Sequence, residues 1–117
     1  MATQPAIKPS SVDMDLVERI LTEYAAIPYA YDNLESQLAF DRVRGRFLWL
    51  TLGWEGPKRV HSVVVDLELR GNKFWLHRDQ TEEGIAYDLE QAGIPKDRIV
   101  LAWMPESYRK HSEYAVK

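Results

Sequence analysis

The sequence predicts an α+β domain made of an N-terminal helix, an antiparallel β-meander, a second helix and a final strand. Three observations predict it. Residues Val12 to Ile27 carry apolar side chains at helical spacing. Arg59 to Arg70 alternates apolar and polar residues, then meets the two-residue turn Gly71-Asn72. A helical run after Asp79 stops at Gly93 and gives way to the apolar stretch Ile99 to Trp103.

The first helix is carried by Leu16, Val17, Ile20, Leu21, Tyr24 and Ala25, an i, i+4 stripe. Ser11 or Asp13 can cap its start, and Asp13 and Asp15 suit the positive end of its dipole. Pro28 disfavours helix at Ile27 and ends it. A loop with Tyr29 and Tyr31 follows. Gln37 to Phe40 reads as a first strand, and Asp41 to Gly45 as a charged turn. Arg46 to Leu52 is a second strand, with Phe47, Trp49 and Thr51 on one face and Leu48, Leu50 and Leu52 on the other. A strand apolar on both faces is covered on both, which in so small a domain points to a second subunit.

Gly53 to Pro57 is a turn-rich loop. In the third strand Val63, Val65, Leu67 and Leu69 share one face, while Ser62, Asp66, Glu68 and Arg70 share the other. Pairing across Gly71-Asn72 sets Leu69 opposite Phe74, Leu67 opposite Leu76, Glu68 opposite Trp75 and Asp66 opposite His77. Asp79 begins the second helix, with Glu82 completing a capping-box pattern. Ile85, Ala86, Leu89 and Ala92 form its inner stripe. Ile99 to Trp103 is the last strand, with Trp103 in the core. Glu106 to Lys110 reads as one helical turn and Tyr114 to Val116 as an extended tail.

At 117 residues and 45% apolar content the chain is one domain with a real core. Residues 1–11 form a polar, proline-containing arm and residues 12–117 the domain. No apolar run suits a membrane helix, and the N-terminus lacks the apolar core of an export signal. There is no cysteine, which excludes disulfides and thiolate chemistry and suits the cytoplasm. A net charge of −3 argues against coating DNA.

No pattern of residues encodes a reaction. His61, His77 and His111 lack metal-ligand spacing, so no metal or cofactor is expected. An enzyme built on Asp79, Glu82 and His77 is conceivable, but helix capping and a cross-strand polar pair account for these residues without catalysis. Arg42, Arg44 and Arg46 could present a basic tip to phosphate; a solvated hairpin end is the simpler reading. Trp54, Glu68, Lys73 and Trp75 are the candidate partner-facing residues, since large aromatics ringed by charge suit an interface.

Several segments in order resemble the XisI family, the fdxN-element excision controlling factor proteins of cyanobacteria. They are Leu21 to Ala25, Gln37 to Asp41, Gly53-Trp54, Lys73 to Asp79, Thr81 to Ala86, Ala92 to Leu101, and Pro105-Glu106 with Arg109-Lys110. The order and spacing carry the resemblance, which covers nearly everything after the first dozen residues. Gln80 departs from a common Gly, and Ala102-Trp103-Met104 from a common Gly-Phe-His. The second departure removes a histidine. The resemblance implies a non-catalytic regulator of site-specific excision of a DNA element. It also implies a companion, XisH, that looks like an endonuclease-fold protein. An antitoxin-like role toward that companion is the alternative. No catalytic residues come with the resemblance. The expected assembly is a homo-oligomer, with weak or no direct DNA binding.

Overall fold

The computed structural model describes residues 8–29 and 33–117. Most of the expected N-terminal arm, and Tyr31 of the expected loop, lie outside the described residues. Helix α1 spans Ser11–Ala25. Four strands then run as a meander, β1 (Asn33–Asp41), β2 (Arg46–Glu55), β3 (Lys58–Arg70) and β4 (Lys73–Asp79). Helix α2 (Ile85–Gln91) and a 3₁₀ turn at Lys96–Arg98 carry the chain to β5 (Ile99–Leu101), which lies parallel to β4. A short helix α3 (Glu106–Arg109) precedes the tail. The sheet order is β1-β2-β3-β4-β5, the order of the sequence. This is an α+β architecture with a largely antiparallel sheet, as the sequence predicts.

Both long helices pack on one face of the sheet. Val17, Ile20 and Leu21 of α1 and Ile85 and Leu89 of α2 meet Phe47, Leu67, Phe74 and Leu76 in a single core. The β2 stripe Phe47, Trp49 and Thr51 is buried there. Its opposite stripe, Leu48, Leu50 and Leu52, is only half-buried on the uncovered face. The far end of the β2–β3 hairpin, from Leu52 to Ser62, holds no buried residue. Gly53 lets β1 come close: a Cβ there would stand 1.8 Å from the carbonyl oxygen of Asn33.

Several local expectations are corrected. The cap of α1 is Ser10, whose side chain accepts from the Asp13 amide at 3.0 Å. Asp13 is instead buried and pairs with Arg98 Nη2 at 2.6 Å. Strand β1 begins four residues earlier than expected, and β2 runs on through Glu55, leaving only Gly56 and Pro57 of the presumed loop before β3. The β2–β3 register shifts between Trp49 and Leu50, because β3 carries one extra residue there. Trp49 pairs with Val65 but Leu50 pairs with Val63, so Val63 and Val65 fall on opposite faces. Helix α2 starts at Ile85, six residues after Asp79, with Gly84 at its N-cap in a positive-φ conformation. Strand β5 ends at Leu101, and a turn closed by the Met104 amide onto the Leu101 carbonyl throws Trp103 outward. Trp103 is 48% exposed and is not core.

Candidate functional site

The face of the sheet away from the helices carries Glu68 opposite Trp75 and Arg70 opposite Lys73. These pairs follow from the Gly71-Asn72 hairpin, which fixes the register. The Arg70 guanidinium lies 4.0 Å from the centre of the Trp75 ring, and Arg109 lies 5.4 Å from it. Trp75 therefore has two guanidinium groups against its ring and is partly covered by its own chain. Arg109 is itself fixed by carbonyls of Met104, Ala102 and Val116. Lys73 reaches the backbone oxygen of Lys117.

A second register shift, between Asp66 and Leu67, leaves His77 unpaired in the ladder. The expected Asp66–His77 pair does not form. Asp66 faces Arg78, and His77 Nε2 instead meets Glu68 Oε1 at 2.8 Å. Glu68 also binds Arg70 Nε at 3.1 Å. Partial burial works to raise the Glu68 carboxyl, but its hydrogen bonds to Arg70 and then His77 outweigh it and hold it below the usual carboxylate range.

The acids proposed for catalysis are placed differently. Asp79 closes β4, and its oxygens accept from the Thr81 amide, the Thr81 hydroxyl and the Ile85 amide. It thus caps α2 from a distance of six residues, and Glu82 takes no part in that cap. The capping-box expectation fails because Gly84 lets the chain fold back onto Asp79 before the helix begins. His77 faces away toward Glu68, so the three residues do not converge. Among the described residues, no three His, Cys, Asp or Glu side chains group as a metal site requires.

The arginine tip is spent on ion pairs. Arg42 binds Asp15 and Glu18 of α1, each at 2.7 Å. Arg44 binds Asp41 at 2.9 Å, and Arg46 binds Asp66 at 2.7 Å. Trp54 lies at the opposite end of the sheet, near the hairpin tip. It is 47% exposed, with Arg59 5.4 Å from its ring.

On the helix side, a cavity of about 320 Å³ is lined by Tyr24, Tyr29, Trp49 and Val64 together with Thr81 and Glu82. Tyr24 stacks on Trp49 at 5.4 Å and donates to Asp88 at 2.5 Å. Burial pushes the Tyr24 hydroxyl well above the ordinary tyrosine range, and the Asp88 carboxylate adds to the shift. Tyr114 is raised in the same way by burial and by Glu90. A raised folded-state value means the protonated phenols contribute stability below pH ~10 and that this contribution is lost at higher pH. Phenolate absorbance should therefore show Tyr24 and Tyr114 titrating late. Tyr24→Phe should remove one of them; a variant with an unchanged titration would contradict this assignment.

The fold and these surfaces define a single-sheet α+β protein, with one face covered by helices and the other largely open. The chain belongs to the XisI family, whose sequence pattern it matches over residues 11–116. Solved structures agree. An XisI-like protein from Anabaena variabilis ATCC 29413 is 29% identical, with a TM-score of 0.83, covering 91% of this chain and 97% of that one. The fdxN element excision controlling factor XisI from the same organism is 30% identical, with a TM-score of 0.74, covering 88% and 94%. No curated protein gives a match. No helix among the described residues is long and apolar enough to cross a membrane.

Proposed function

We propose that this protein controls the excision of a DNA element as a non-catalytic accessory factor, acting through protein contacts. The family match over residues 11–116, together with a 30% identical excision controlling factor of the same fold, carries this reading. The side chains with catalytic potential support it. Asp79 is occupied as a helix cap and holds the Thr81 hydroxyl within that cap, and His77 and Glu68 bind each other. The partner in this reading is the XisH-like companion. Its docking surface is the open sheet face and the hairpin end, where Trp54 and Arg59 are exposed.

The test is co-purification of the full chain with an XisH-like protein, alongside an excision assay in cells lacking this protein. Retained binding and lost excision support the proposal. Turnover of a DNA substrate by the purified protein alone would overturn it.

Free DNA should bind poorly. The three arginines of the β1–β2 turn are each paired with carboxylates, and the net charge is −3. Few counterions would be released, so affinity should be weak and its salt dependence shallow. Fluorescence anisotropy with labelled duplex checks this; a submicromolar affinity that falls steeply with salt would refute it.

A further inference from the structure

The two edges of the sheet are treated differently. At one edge the tail runs beside β5, with Ala115 bridging Val100 and its amide donating to the Ile99 carbonyl at 2.9 Å. That edge is covered by the chain itself. At the other edge lies β1, nine residues long, and among the described residues no strand pairs with its outer side. Its sequence, Asn33 to Asp41, has no Pro, no Lys and no Arg, and its register with β2 is unbroken. Proteins ordinarily blunt a long free edge with such devices, because an unpaired row of amides and carbonyls is a template for another strand.

We propose that β1 pairs with β1 of a second copy of this chain, antiparallel about a two-fold axis through Gln37, joining two sheets into one. The strand is self-complementary in that register. With the axis at Gln37, all nine residues find partners: Asn33 faces Asp41, Leu34 faces Phe40, Glu35 faces Ala39 and Ser36 faces Leu38. No carboxylate meets a carboxylate. Sliding the pairing by one step of the pleat, so that Glu35 faces Asp41, opposes two acids. The full-length register also keeps like faces together. Leu34, Leu38 and Phe40 are half-buried on the helix side, while Gln37 and Glu35 are exposed on the open side, and the two-fold preserves both sides. The exposed Gln37 amide, now bonded to Glu35 at 3.1 Å, would meet its own copy on the axis. A second copy suits this edge because the two-fold matches strand length to strand length, keeps apolar Leu34 against Phe40 on the helix side, and sets Glu35 and Asp41 against uncharged partners. The inference stands independently of the excision reading.

The test uses the axis position. Gln37 is exposed, so Gln37→Glu and Gln37→Lys should each keep the fold, as checked by circular dichroism. Wild-type protein should sediment as a concentration-dependent dimer. Each variant alone brings like charges together at the axis and should shift to monomer, with the dissociation constant raised at least tenfold. An equimolar mixture of the two should recover dimer, because Glu then faces Lys across the axis. A wild-type chain that stays monomeric at high concentration overturns the proposal. So does a dimer that neither variant perturbs, or a mixture that fails to recover dimer, since the axis then lies elsewhere.

Discussion

Phe47→Ala is expected to cost about 3–5 kcal/mol, the usual range for deleting a buried ring. Phe47 is fully buried, packs at 5.6 Å against Phe40 and pairs with Leu67 on the central strand. A domain of this size has about 5–15 kcal/mol of stability in all, so the variant should sit close to unfolding at room temperature. Urea denaturation followed by tryptophan fluorescence measures the loss. Phe47→Leu, which keeps most of the volume, should cost roughly 1 kcal/mol by the same assay. Equal losses for the two variants would show that volume at this site is not what matters.

Asp13→Ala should produce the second large effect. Asp13 is 6% exposed, and its carboxylate meets Arg98 at 2.6 Å. Arg98 in turn donates to the Asn72 carbonyl and lies 5.4 Å from the Phe74 ring. One contact thus ties the start of α1 to the β3–β4 hairpin and to the approach to β5. Removing the acid leaves a guanidinium unpaired against the core. For a fully buried pair that costs about 3–5 kcal/mol, and the partial exposure of Arg98 brings the expectation to about 2–3 kcal/mol. Adding Arg98→Met to Asp13→Ala should recover part of the loss, because the stranded charge goes with it. A double variant as unstable as the sum of the single ones would mean the two residues act separately.

Much of this fold is legible in the sequence, and the failures share a cause. The β3–β4 hairpin is readable near its turn because Gly71-Asn72 permits one tight geometry, and Leu69, Phe74, Leu67 and Leu76 must share a face. Farther along, one extra residue near Val64 and another at His77 shift the ladder, and nothing in the local alternation marks either bulge. That is why Val63 changes face and His77 finds Glu68 instead of Asp66. Asp13 reads as a surface acid at a helix start because its partner stands far away in the chain. Trp103 reads as core because it ends an apolar run, but the three-residue strand has already closed into a turn. The surface candidates are legible only as residue types. Whether an arginine is free or already paired depends on which helix the turn abuts, and Arg42 is paired by α1.

The agreement between strand order and chain order has a kinetic consequence. Every antiparallel pair in the sheet joins sequence neighbours, so β1 to β4 can zip together through short loop closures as they are made. Helix α1 is synthesised first yet is secured late. Its buried acid waits for Arg98, 85 residues downstream, and its Tyr24 hydroxyl waits for Asp88 of α2. During synthesis, then, the nascent sheet should gain order before the helix that precedes it, and the start of α1 should lock only once Arg98 has been made.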